Sequence, residues 1–219
     1  MVEYEDGISR QFELYDNLSE FIETYEDAKQ AKKDSKMKKS PMTVPFSIYA
    51  LPSHTEIKSK LLSEINSTKK FVLLKDEYDK TNISKCDWNS SRDTDRTWLK
   101  IFEPYLLDYL NVWRKELGYN WFNVVDIWFQ QYEGESEHDW HLHGNNYTGV
   151  YFLDLPEDSP KTMFKDPMNM EIEKQFDITE GDILIFPSFV IHKAPKNAGI
   201  NTKTIISWNI NLSMRWIEN

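Results

Sequence analysis

At Trp121 the sequence changes its period, and this change limits the available folds more than any other feature. Upstream, apolar residues recur three and four apart. Downstream come the short β-rich runs WFNVVDIWFQQY, TGVYFLDL, KTMF, DILIFPS and KTIISWNINLSM, divided by turn-rich segments. Helices followed by strands indicate an α+β fold, with helices packed on one face of an antiparallel sandwich or barrel of roughly eight strands. In the helical part, residues 54–68 place Ile57, Leu61, Leu62 and Ile65 on one face. A longer helix, 94–117, starts from Thr94 as N-cap and repeats Trp98, Ile101, Phe102, Tyr105, Leu106, Tyr109, Leu110 and Trp113 until Gly118 stops it. Pro104 inside this run is expected to kink or split the helix.

The first 27 residues carry nine acids and one base, with apolar residues spaced for one amphipathic helix. Six lysines against one acid follow in Lys29–Lys39 and read as a solvated linker. The expected organisation is therefore an extension, 1–45, and a single domain, 46–219, whose β core spans about 121–214; a chain of 219 residues supports one main core. A net charge of −10 has the wrong sign for general binding to a phosphate backbone, so nucleic acid is not an expected partner. No apolar run approaches the roughly 20 residues that span a bilayer, and the acidic start does not resemble a signal peptide. Neither a membrane nor secretion is expected. The lone Cys86 cannot form an internal disulfide, which suits a reducing, cytoplasmic compartment.

Three of the five histidines, His138, His141 and His143, fall within EHDWHLHG, where two β-rich stretches meet. In a regular strand residues two apart share a face, so His141 and His143 can reach one metal while His138 takes the other parity. Imidazole suits several first-row metals and does not name one. A third ligand is expected from His192, in a loop after DILIFPS. The acids Glu133, Glu135, Glu137 and Asp139 read as a solvated loop that can also rim a mouth.

The ordered set Tyr132, His141, TGVYFLDLP, EGDILIFPSFVIH with His192, and Lys203 eleven residues beyond resembles the iron(II) and 2-oxoglutarate dependent dioxygenases. The likeness is to the prolyl-4-hydroxylase-like branch and the phage-type oxygenases near it, over about 121–214. It implies a double-stranded β-helix, or cupin-like jelly roll, buttressed by the preceding helices. It also implies a hydroxylase releasing succinate and carbon dioxide, with Fe(II) held by His141, position 143 and His192. Lys203 then faces the distal carboxylate of 2-oxoglutarate, and Tyr132 falls on the family's tyrosine before the first ligand. Ser207 and Asn209, at the inward parity of the Lys203 strand, can add hydrogen bonds to the cofactor or the iron shell. The sequence departs from the family at His143, where most members have Asp or Glu; Asp139 and Asp154 are the alternative carboxylate ligands. Two further readings stay open: a three-His cupin-like dioxygenase or isomerase without 2-oxoglutarate, and an inert jelly-roll binding module. The substrate, peptidyl or small molecule, is not legible.

Overall fold

The computed structural model describes residues 45–69 and 81–214. The expected acidic helix and lysine-rich linker lie outside them. Among the described residues are two α-helices, α1 (His54–Ser67) and α2 (Thr97–Glu116), and a 3-10 turn at Trp88–Ser90. The strands are β1 (Ser47–Ala50), β2 (Lys85–Cys86), β3 (Trp121–Tyr132), β4 (His138–His141), β5 (Tyr147–Asp154), β6 (Met163–Asp166), β7 (Asn169–Gln175), β8 (Asp182–Pro187), β9 (His192–Ala194) and β10 (Lys203–Ser213). They form two antiparallel sheets, a six-stranded one in the order β1-β8-β5-β10-β3-β2 and a four-stranded one in the order β4-β9-β6-β7. This is the expected α+β double-stranded β-helix, with more strands than the sequence suggested.

Strand alternation divides the apolar residues into two cores. Ile127, Phe129, Tyr151, Ile183, Ile206 and Trp208 pack outward against Ile57, Leu61 and Ile65 of α1 and Trp98, Phe102, Leu106 and Leu110 of α2. Val150, Phe152, Leu184, Phe186, Ile205 and Tyr132 point the other way and meet Phe164 and Ala194 of the smaller sheet. At Gly149 the backbone of β5 lies under the Trp208 indole, where any Cβ would collide with the ring.

Two helix expectations need correction. The N-cap of α2 is Arg96, with extended backbone, and not Thr94. Arg96 is drawn to the buried Asp87, whose Oδ2 accepts from its Nη1 at 2.7 Å and from Trp98 Nε1 at 2.9 Å. Asp87 Oδ1 also accepts from the Phe129 amide at 2.8 Å, so this one carboxylate clamps segment 87–96 to β3. Helix α2 also runs unbroken through Pro104, which is exposed, and water can satisfy the carbonyl that loses its partner.

Candidate metal centre

On β10 and β3 the inward parity is set by their pairing: Asp126 opposite Asn209, Trp128 opposite Ser207, Gln130 opposite Ile205 and Tyr132 opposite Lys203. These four rungs form a ladder down the inner wall of the barrel. The smaller sheet supplies the facing wall. His141 of β4 pairs with His192 of β9, and the His143 amide donates to the Ser188 carbonyl at 2.9 Å, which holds the segment after β4 against the β8–β9 turn. Thus His192 is the first residue of a strand rather than part of a loop.

These contacts bring His141, His143 and His192 together, with one ring nitrogen of each within 4.8 Å of the others. The His141 and His192 ring centroids are 4.2 Å apart. Each of these two rings has its Nδ1 near a main-chain carbonyl, Asp139 O at 2.7 Å and Val190 O at 3.0 Å. A carbonyl can only accept, so Nδ1 carries the proton and Nε2 keeps the lone pair that binds a metal. Burial, reinforced by the neighbouring His141, lowers the His143 pKa to about 4 and holds His192 well below the ordinary range. Both are therefore neutral at neutral pH, the form that ligates. The donor set fits a first-row metal ion, and among the described residues no carboxylate joins it. Asp139 accepts from the adjacent Trp140 amide, and Asp154 pairs with Lys58 at 2.8 Å, so neither alternative carboxylate belongs to the cluster.

His138 departs from the parity argument. The pairing of β4 with β9 shifts between His138 and His141, so Asp139 and Trp140 on one strand oppose Lys193 alone on the other. This bulge turns His138 inward as well. Its ring lies nearly parallel to His141, 3.7 Å between centroids, with Nδ1 at 3.4 Å from Gln130 Nε2. A second stack, not foreseen, runs across the other side: Trp88 on Trp128 at 5.2 Å, Trp128 on His143 at 5.9 Å, and His143 beside His192 at 5.2 Å. The available signal was the alternation in WFNVVDIWFQQY, which places Asp126, Trp128, Gln130 and Tyr132 on one face of an otherwise apolar strand.

The triad shares a small cavity of about 20 Å3 with Trp128, Gln130, Tyr132, His138, Thr148, Thr162 and Ser207. Paired opposite the lining residue Tyr132 is Lys203, 1% exposed, whose Nζ donates to the Pro160 carbonyl at 2.6 Å and stands 5.5 Å from the Tyr132 ring. Burial lowers its pKa to about 7. The Tyr132 hydroxyl is buried and has no hydrogen-bond partner among the described residues. An ammonium without an acidic neighbour, beside an unsatisfied hydroxyl, fits the far carboxylate of a keto diacid. Ser207 Oγ donates to Gln130 Oε1 at 3.4 Å midway along the barrel. Asn209 accepts from Thr148 at 3.3 Å and stands at the metal end, six residues along β10 from Lys203. The acidic loop 133–137 joins the other end, where Glu135 pairs with Lys196; it is a solvated loop rather than a rim of the metal site.

No protein-family profile matches the chain, and no curated protein matches it. Solved structures do. A prolyl-4-hydroxylase from Pseudomonas putida superposes with a TM-score of 0.54 at 12% identity, over 76% of this chain and 93% of that one. The viral collagen prolyl hydroxylase of Paramecium bursaria Chlorella virus-1, in complex with 2-oxoglutarate, gives 0.51 at 13% identity, over 75% and 94%. HygX of Streptomyces hygroscopicus, with nickel and 2-oxoglutarate bound, gives 0.57 at 10% identity, over 80% and 86%. The fold is thus the double-stranded β-helix shared by Fe(II) and 2-oxoglutarate oxygenases. Among the described residues the candidate metal cluster is made only of imidazoles.

Proposed function

We propose that the protein is a non-haem iron(II) and 2-oxoglutarate dependent oxygenase that hydroxylates its substrate. The observation that carries this reading is Lys203: a buried cation whose one hydrogen-bond partner among the described residues is a carbonyl, on the same barrel wall as residues lining the triad's cavity. A metal jelly roll that did not use a diacid would have no need of it.

In this reading His141, His143 and His192 hold the iron, and Lys203 with Tyr132 holds the distal carboxylate. When bound, iron and 2-oxoglutarate supply the power to activate oxygen, with succinate and carbon dioxide as coproducts. The chain's own part is orientation and dryness. The two carbonyl-anchored imidazoles keep their lone pairs aimed inward, and Val150 and Ile205 line the cavity to keep water out. A space of about 20 Å3 holds a water or two, so a diacid enters only if segment 159–162 withdraws and Lys203 exchanges the Pro160 carbonyl for the carboxylate.

The test is anaerobic addition of Fe(II) and 2-oxoglutarate. A visible metal-to-ligand charge-transfer band is expected, and Lys203→Ala should weaken 2-oxoglutarate binding at least about 30-fold, from the 2–5 kcal/mol cost of breaking such a pair. A metal-loaded protein without the band, or equal binding by the variant, would favour the three-His enzyme that does not use 2-oxoglutarate.

A further inference from the structure

The ladder of inward residues does not end at the triad. Beyond Trp128 and Ser207 the next rung, Asp126 and Asn209, opens into a cleft of about 550 Å3 lined also by Trp88, Asn89, Ser90, Ser91, Arg92 and Asp93. Side-chain contacts link it to the metal end. Asn209 is bonded to Thr148, which lines the triad's cavity, Trp88 stacks on Trp128, and the Asp126 charge acts on His143. The volume is that of a small-molecule site.

We propose that this cleft receives the substrate of the oxygenase, and that the substrate is a small molecule whose carboxylate or phosphate is gripped by Arg92. The inference rests on the oxygenase reading for its chemistry, though not for its binding. Three features support it. The wall is built in advance, because Asp87 ties segment 87–96 to Arg96, Trp98 and the Phe129 amide. The Arg92 guanidinium is aimed by one bond, Nε to Asp126 Oδ1 at 2.9 Å. Its two terminal amino groups have no partner among the described residues, which leaves the planar fork that matches a carboxylate or phosphate. The third feature is charge: a metal held by His141, His143 and His192 would keep the unit of positive charge that a carboxylate ligand cancels, which would favour an anionic group nearby. Asp126 and Asp93, both lining the cleft, offset the Arg92 charge, so the fork supplies orientation more than raw attraction. Trp88, half-buried at the cleft wall, offers an aromatic surface for the remainder of the ligand.

The experiment uses the full, metal-free chain and three probes, benzoate, phenyl phosphate and neutral benzamide, followed by ligand-observed NMR and tryptophan fluorescence. At least one of the two anions should bind and benzamide should not, and which anion binds better separates a carboxylate from a phosphate substrate. Arg92→Gln should weaken the bound anion at least about fivefold, with Arg92→Lys intermediate because it keeps the charge and loses the fork. Arg92 is exposed, so its loss does not threaten folding. Equal binding of benzamide, no binding of either anion, or anion binding unchanged in Arg92→Gln would overturn the proposal. The charge-transfer band reports separately: a band without Arg92-dependent anion binding removes this cleft and keeps the oxygenase, while anion binding without a band keeps an anion site and removes the oxygenase.

Discussion

The two sheets carry different responsibilities. The larger holds the longest strands, up to the twelve residues of β3, with β10 paired on both sides by β3 and β5 and the short β1 and β2 at its edges. The smaller has strands of three to seven residues, a bulge in β4, and an outer strand, β7, exposed at every position. Yet the smaller sheet carries His141 and His192, while the larger contributes Lys203 and the ladder of inward residues. A regular sheet fixes direction and distance, whereas short irregular strands can turn several side chains towards one point. In this fold the metal site is assembled on short strands at a bulge, against a wall where β10 and β3 keep one register from Lys203 to Asn209.

The comparison breaks first on stability. Phe129, fully buried between β3 and the helices, should cost about 3–5 kcal/mol when truncated to Ala, read as a lower midpoint of denaturant unfolding. His192→Ala should show the reverse pattern. Metal affinity falls at least about 100-fold, since even loss of an outer partner of a metal ligand costs 10- to 100-fold, while the metal-free midpoint moves less than in Phe129→Ala. A His192→Ala protein that binds metal as tightly as the parent would remove the site from the smaller sheet.

A third test concerns the larger sheet's buried cation. Folding lowers the Lys203 pKa to about 7 from an ordinary 10.5, so between these values the unfolded chain binds a proton that the folded one has released. Metal-free stability should therefore rise with pH across that window, while below about 7 both states are protonated and the full cost of the buried charge remains. Lys203→Met should flatten the rise in thermal midpoint. Binding of 2-oxoglutarate should run the other way, weakening above about pH 7 because the carboxylate needs the ammonium form. The smallest effect is expected at the outer strand, where Ile172→Ser on exposed β7 should change stability by no more than about 0.5 kcal/mol. A larger loss would mean that β7 is covered in solution.

The same contrast explains what could be read from the sequence. The β3, β5, β8 and β10 runs announced themselves because buried strands are rich in β-branched and aromatic residues. The three-residue β9 and the exposed β7 have too few apolar residues to show a period, so His192 looked like a loop residue. His141 and His192 were legible as candidate ligands through chemistry and order, not through their strands. His138 was misplaced because a bulge reverses parity and leaves no mark in the residue types. The cleft beside Arg92 was invisible, because it depends on Asp87 reaching across 42 positions to the Phe129 amide.

The stack of Trp88 on Trp128 on His143 has an optical consequence. Two of the chain's eight indoles sit in series with a metal-binding imidazole. Energy and electron transfer from an excited indole fall steeply with distance, so these two rings are placed to lose their emission when an open-shell ion occupies the triad. Iron or nickel should darken them, and closed-shell zinc should leave them bright. The protein thus carries its own metal indicator, with no label attached.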